Sequence, residues 1–134
     1  MNITESVNEI ILNAYEKCKN SNSEYITPEH LLYAATFNED IYNSIEECGG
    51  DVKLLRNNLE NYIDNYVTKL EDGEPEESVA FQELLFIASS QVVSSGKNIV
   101  DIEHIIAAIF DLEESFAKFY LEEQGISKRD ILYS

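Results

Sequence analysis

Apolar residues recur at three- and four-residue spacing along most of the chain. Ile3, Val7, Ile10, Ile11, Ala14 and Cys18 form one stripe, and Phe81, Leu84, Leu85, Ala88 and Val92 form another, the periodicity of an amphipathic helix. Breakers follow both, "NSNSEY" after the first and "SSGKN" after the second. A second helix then starts in each half, at "ITPEHLLYAA" from Ile26 and "VDIEHIIAAI" from Val100. Thr27 and Asp101 are suited to cap these starts, and Pro28 falls at the first helical position, where its missing N–H costs nothing. A third, short helix carries Ile41, Ile45 and Cys48 in one half and Phe116, Phe119 and Tyr120 in the other, with Gly49 and Gly125 as stops. A fourth opens at Asp51 or Ser127. Its first copy is long, with Val52, Leu55, Leu59, Tyr62, Ile63 and Tyr66 on one stripe, and its second is cut short at the end of the sequence.

The two halves repeat each other. Glu103 stands 74 positions after Glu29, and at that offset residues 7–35 fall on 81–109 without a gap: Glu9 meets Glu83, Ala14 meets Ala88, Ser21 meets Ser95 and Ala34 meets Ala108. After a short gap "EECGGD" at Glu46 matches "EEQGIS" at Glu122, so the chain carries an internal duplication. No stretch alternates with period two, so no sheet is expected. The fold class is all-α: two tandem four-helix repeats packed as a pseudo-twofold helical bundle, because either unit alone has too little apolar face to bury. Residues 1–134 read as one domain, with repeat one over about 3–68 and repeat two over about 78–134. The acidic stretch over about 69–77, within "KLEDGEPEES", reads as a solvated connector.

The formal net charge of −17 changes the choice of partners. It repels nucleic-acid phosphates and anionic lipid headgroups, so no nucleic acid and no membrane are expected, and basic partners are favoured. The longest apolar runs are too short for a bilayer span, and the N-terminus lacks the basic and apolar regions of a secretory signal. Cys18 and Cys48 lack CxxC spacing and read as small core residues of a reduced compartment, which places the protein in the cytoplasm.

Glu29 and Glu103 each follow the first helical residue. They stabilise the helix start by roughly 0.3–1 kcal/mol, or they present two symmetric carboxylates to a cationic group such as a guanidinium. No Lys or Arg lies three or four residues downstream of either, so both are expected to be accessible and unpaired. His30 and His104 read as core histidines whose ring N–H bonds a backbone carbonyl; metal ligation, the alternative, lacks further ligands at the right spacing. Phosphate-loop, nucleophile-elbow and HExxH signatures are missing, so no catalytic residue and no cofactor are expected. Tyr25, Tyr33 and Tyr42 fall off or at the edge of the core stripes and suit a binding surface.

The duplicated "TPEHLL" and "DIEHII", the "SSGKN" turn, "FQELL" opening the second repeat and the closing "AAIFDLEESFAKFYLEEQGISKRDIL" resemble the double-repeat N-terminal domain of Clp unfoldases, closest to the ClpA-like branch. The resemblance implies a mobile, non-catalytic recognition module ahead of AAA+ ATPase rings in a hexamer that unfolds proteins for a ClpP-type peptidase. The isolated domain would be a monomer that binds ClpS-type adaptors or protein substrates. Structural docking on the ATPase ring, or a free-standing decoy, is the alternative. By similarity to ClpC-like relatives, Glu29 and Glu103 match the acids of a twin phosphoarginine site, and Thr4 and Ser78 match its hydroxyls. By similarity to ClpA-like relatives, Glu24 and Glu29 match acids that face ClpS. The basic face those relatives carry on the first helix of repeat two is replaced here by Glu83, Ile87 and Gln91.

Overall fold

The computed structural model describes residues 1–133; Ser134, the last position of the second repeat, lies outside them. The first repeat comprises α1 (Glu5–Asn20), α2 (Pro28–Ala35), α3 (Glu39–Glu47) and α4 (Val52–Tyr66). The second comprises α5 (Val79–Ser94), α6 (Ile102–Ile109), α7 (Phe116–Glu123) and α8 (Lys128–Leu132). Each start is capped as its sequence dictates. Thr4, Thr27, Asn38 and Asp51 cap α1 to α4, and Ser78, Asp101, Ser115 and Ser127 cap α5 to α8, every one with a side-chain oxygen accepting a first-turn N–H.

The helix ends repeat as faithfully as the starts. After α3 the Gly49 N–H reaches Glu46 O and the Gly50 N–H reaches Ile45 O; after α7 the Gly125 and Ile126 N–H groups reach Glu122 O and Leu121 O. These paired bonds form a Schellman cap, which needs a left-handed residue at its bend. Gly49 and Gly125 supply it with φ of 87° and 77°. The same cap closes α5 at Gly96 and α1 at Asn22, where Asn22 holds φ 54°.

The core runs continuously through both repeats and includes Val7, Leu31, Leu55, Phe81, Ile106 and Leu121. Within its repeat α2 packs on α1 and α4, and α6 packs on α5 and α8. The contacts between repeats are reciprocal: α1 meets α6 as α2 meets α5, and α4 meets α7 as α3 meets α8. An all-α bundle with a pseudo-twofold relation is the result.

Short strand pairings depart from the expectation of a chain without a sheet. β1 (Tyr25–Ile26) and β2 (Glu76–Glu77) pair in parallel, with Tyr25 opposite Glu76 and Ile26 opposite Glu77, and Ile3 forms a parallel bridge with Val100. The second pairing is the first one moved by the repeat offset. In both, the residue before the cap of one repeat's first helix meets the residue before the cap of the other repeat's second helix. The acidic segment is therefore held in place rather than loose: Leu70 N–H donates to Asn22 O, Glu24 N–H to Thr68 O and Glu76 N–H to Glu24 O. The backbone between α1 and α2 needs partners for its polar groups, and the segment supplies them.

The inward face of α7 also differs from the sequence reading. Ala117 and Leu121 are buried, 76 positions after Ile41 and Ile45, while Phe116 and Phe119 are exposed. Tyr66, placed by its spacing on the α4 core stripe, is likewise exposed, and Cys48 is half-buried. The seam beneath α7 is narrow enough to be filled by the smaller pair, so the larger rings turn outward.

One consequence concerns Asn22. A β-branched residue in the left-handed region is strained by roughly 1–2 kcal/mol, whereas glycine is not. Asn22→Val is expected to lower the unfolding free energy by about that amount and Asn22→Gly to leave it unchanged or raise it slightly, as read by urea denaturation.

Candidate functional site

The crossed pairings bring the candidate residues together across the repeats. Ser78 N–H donates to Ile26 O, so Ser78 sits beside the start of α2 and lines one cleft with Thr27, Glu29, Tyr62, Glu114 and Phe116. Thr4 N–H donates to Val100 O, and the Thr4 hydroxyl donates to Asp101 Oδ1 at 3.0 Å, next to the start of α6. Ser78 thus shares a cleft with Glu29 of the opposite repeat, whereas Thr4 bonds the cap Asp101 rather than Glu103; each hydroxyl also caps its own helix, accepting from Val7 N–H and Phe81 N–H. A second cleft, beside Asp101, is lined by Ser6, Asp40, Ser44 and Glu103.

Glu29 does not behave as its sequence context suggests. Its Oε2 accepts from the Ala117 backbone N–H at 2.9 Å and from the Ser115 hydroxyl at 3.1 Å. One carboxylate therefore lies at the N-terminal ends of two helices, its own α2 and the α7 of the other repeat, where both leave free N–H groups and positive dipole ends. The expected accessibility is corrected accordingly: Glu29 is 4% exposed, covered by the start of α7.

Glu103 keeps what Glu29 has given up. It is half-buried in its cleft, and its carboxylate takes no hydrogen bond or ion pair from the described residues. The contacts differ accordingly: Glu29 is met by the Ala117 N–H and the Ser115 hydroxyl at the start of α7, whereas the Glu103 cleft holds Asp40 of α3 beside it, a carboxylate that repels a second one.

His30 and His104 serve a role that the sequence reading did not assign. Each is the third residue of its helix, and its Nδ1 accepts the N–H of the cap residue, Thr27 at 3.0 Å and Asp101 at 2.9 Å. The rings therefore accept a backbone N–H instead of donating to a carbonyl, and complete capping boxes in the place usually held by Glu or Gln. With Nδ1 accepting, Nε2 of His30 donates to Ser23 Oγ at 3.0 Å. Burial first, then the nearby charges of Lys17 and Lys69, lower its pKa to about 4, so the ring is neutral. Cys18 is fully buried, and burial pushes its thiol up to about 11, which withholds the reactive thiolate.

Glu24 is half-buried beside β1, and Glu83 is exposed on α5. Glu83 borders a feature that the sequence reading missed. Val79, Phe86 and Val93, seven residues apart on α5, are 80%, 72% and 66% exposed. The equivalent positions of α1 are Glu5, Leu12 and Lys19. The signal was present in the sequence, since α5 is apolar on both faces. Of the three tyrosines set apart by spacing, Tyr25 and Tyr42 are exposed, while Tyr33 packs edge-on against Phe37 beneath Lys17. Among the described residues no His, Cys, Asp and Glu cluster is arranged to hold a metal, and no helix is long and apolar enough to cross a membrane.

The model of the family described as the Clp repeat (R) N-terminal domain matches residues 2–124. A ClpA homolog protein from Fuscovulum blasticum is 33% identical over 111 residues, 80% of this chain, and the matched region spans only 14% of that relative's length. The crystal structure of the Hsp104 N-terminal domain from Candida albicans is similar with a TM-score of 0.83 at 19% identity, covering 98% of this chain and 87% of that one. The N-terminal domain of the ClpD chaperone from Arabidopsis thaliana gives a TM-score of 0.75 at 15% identity, covering 97% and 92%.

Two measurements check this account of the site. Glu29→Ala strands the Ala117 N–H and the Ser115 hydroxyl in a buried seam and is expected to cost about 2–3 kcal/mol of unfolding free energy, against less than about 0.5 kcal/mol for Glu103→Ala; equal costs in denaturant titrations would contradict it. The His30 ring stays neutral in the folded chain down to pH about 4, whereas in the unfolded chain it takes up a proton near 6.5. Its contribution to stability is therefore complete above pH 6.5 and is lost as pH falls towards 4. Against His30→Gln, which retains an acceptor for Thr27 N–H, the wild type should lose about 2–3 kcal/mol of relative stability between pH 7 and pH 4.

Proposed function

Because this chain belongs to the family of Clp repeat N-terminal domains, of the ClpA/ClpC type, we propose that it is the non-catalytic recognition module of a Clp ATPase. In this reading it captures protein substrates, or adaptors of the ClpS type, for unfolding. The domain is a monomeric unit ahead of AAA+ rings, in a cytoplasmic hexamer that passes unfolded chains to a ClpP-type peptidase.

The observation that carries the reading is the unshared carboxylate of Glu103. It lies in a cleft that also holds Asp40 and Asp101, on a chain of net charge −17, which favours a cationic group on the partner. Glu29 contributes differently: one of its oxygens is occupied by α7, so its cleft relies on Ser78 and Glu114 for further polar contacts. The phosphate of a phosphoarginine would oppose this field, so the guanidinium half of such a ligand is the better match. Glu24 and Glu83 extend the acidic surface towards β1 and α5.

A second reading, docking on the ATPase ring, draws on the stripe of Val79, Phe86 and Val93. These residues span about 21 Å of one helix face, and an apolar strip of that length suits a permanent contact better than a transient one. Calorimetric titration separates the two. A ClpS-type adaptor and a phosphoarginine-bearing peptide are titrated into wild type, Glu103→Gln and Phe86→Ser. Recognition at Glu103 requires Glu103→Gln to weaken at least one of the two ligands about tenfold, the loss of one charge-assisted hydrogen bond. If Glu103→Gln binds both as tightly as wild type, this assignment of Glu103 fails. If in addition Phe86→Ser alters only assembly or basal ATPase activity in the full-length hexamer, ring docking takes its place.

A further inference from the structure

The loop that follows the first helix of each repeat begins and ends in the same way in both halves. After α1 the Ser21, Asn22 and Ser23 N–H groups donate to Lys17 O, Lys19 O and Cys18 O, and after α5 the Ser95, Gly96 and Lys97 N–H groups donate to Gln91 O, Val93 O and Val92 O. Both loops then finish on a parallel pairing, β1 with β2 and Val100 with Ile3. Between these points repeat one has a partner that repeat two lacks. Residues 68–70 run antiparallel to the first loop, with Lys69 opposite Ser23. Glu24 N–H donates to Thr68 O and Leu70 N–H donates to Asn22 O, both at 2.7 Å. The equivalent groups of the second loop, Asn98 N–H and Gly96 O, have no hydrogen-bond partner among the described residues.

The side chains around this bare edge differ from those of repeat one in a way that suits an incoming segment. In repeat one Leu70 is half-buried in a cleft it shares with Lys19 and Asn22, and Lys19 is engaged by Glu74 at 3.2 Å. The place of Lys19 is taken in repeat two by Val93, which is exposed and lines a groove with Met1, Asn2, Ser89, Val92 and Asn98. An apolar side chain in the position of Leu70 would therefore meet an apolar one. No acidic side chain lines this groove, although the chain carries a net charge of −17. Lys69 shows where a cation would go: its Nζ donates to Ser21 O at 2.9 Å. Ser95 stands in the equivalent place at the end of α5, where the carbonyl end of the helix favours positive charge.

We propose that Gly96, Asn98 and Val93 receive a short extended segment of a partner protein, in which a lysine is followed by an apolar residue. The segment runs antiparallel to the loop, in the position that residues 68–70 hold in repeat one. The residue before the lysine offers its carbonyl to Asn98 N–H, and the apolar residue after it donates its N–H to Gly96 O. Main-chain bonds hold the segment and the two side chains select its sequence, as in the addition of a strand to a sheet edge. The lysine reaches Ser95 O, and the field of the whole chain draws it in. The same charge opposes a second copy of this domain. The edge lies outside both clefts assigned above, and it shares Val93 alone with the ring-docking stripe.

The test is NMR titration of the domain, followed at its backbone amides, with the peptide acetyl-Val-Thr-Lys-Leu-amide, which copies residues 67–70. A second peptide carries N-methyl-leucine, which has no N–H for Gly96 O, and leaves the protein unaltered. The expected result is a saturable shift of the Asn98 amide. Affinity should fall about 3- to 10-fold for the N-methyl peptide, the loss of one hydrogen bond. A similar fall of about 3- to 10-fold is expected for Val93→Ser, which removes the apolar contact. Val93 is exposed enough for this variant to fold, which circular dichroism checks. Phe86→Ser should bind the peptide as wild type does. The proposal is overturned if the Asn98 amide does not shift at millimolar peptide, or if the shifts fall on Glu24, where the peptide would be displacing residues 68–70. It is equally overturned if the N-methyl peptide or Val93→Ser binds as wild type, or if Phe86→Ser weakens binding as much as Val93→Ser. A shift of the Asn98 amide with protein concentration alone would assign the edge to a second copy instead.

Discussion

The fold depends on an exchange of backbone hydrogen bonds between the two repeats. Thr4 N–H donates to Val100 O, and Ser78 N–H donates to Ile26 O, so the entry to each repeat's first helix is fastened to the entry of the other repeat's second. Four capped helix starts are thereby brought together in two pairs, one beside each cleft. Everything distinctive about the candidate sites follows from that convergence. A helix start carries free N–H groups and a positive dipole end, and a seam that gathers several of them is a natural place for carboxylates.

The duplication used its two carboxylates differently. Glu29 closed on the start of α7, bonded by Ser115 and Ala117; Glu103 shares its cleft with Asp40 and remained open. The surface of α5 shows the same divergence, since Val79, Phe86 and Val93 stand where α1 has Glu5, Leu12 and Lys19. Backbone architecture is preserved between the halves down to the Schellman caps. The side chains that would meet a partner are where the halves differ. Such a division fits the general rule that a fold tolerates change wherever its packing and its backbone hydrogen bonds are untouched.

Much of this was legible in the sequence because it is local. The helix caps and the glycine stops are set by residues within one turn of each other, and the 74-residue offset shows when the sequence is laid on itself. The unread parts depend on distant chain. Nothing near Glu29 announces that Ser115 and Ala117 will cover it, because they lie 86 and 88 residues away. The strand pairings involve one or two residues on each side, too few for any period to register. Phe116 and Phe119 were misread for another reason. Large aromatic residues attract assignment to a core, yet Ala117 and Leu121, in phase with Ile41 and Ile45, were the residues that fitted the space. The histidines escaped because a capping box is expected to end in Glu or Gln, and an imidazole nitrogen accepts the same N–H.

The closure of Glu29 by α7 also bears on the order in which a nascent chain acquires structure. As synthesis proceeds, α1 to α4 emerge first, with the Glu29 carboxylate still open to water because the α7 residues that cover it have not yet been made. Ile26 O likewise waits for Ser78 N–H. Closing loops of this length costs entropy before any contact repays it. The first repeat therefore cannot settle as a finished unit ahead of the second. Two copies of one helical motif, despite their likeness, are completed only by contacts that each takes from the other, α7 among them.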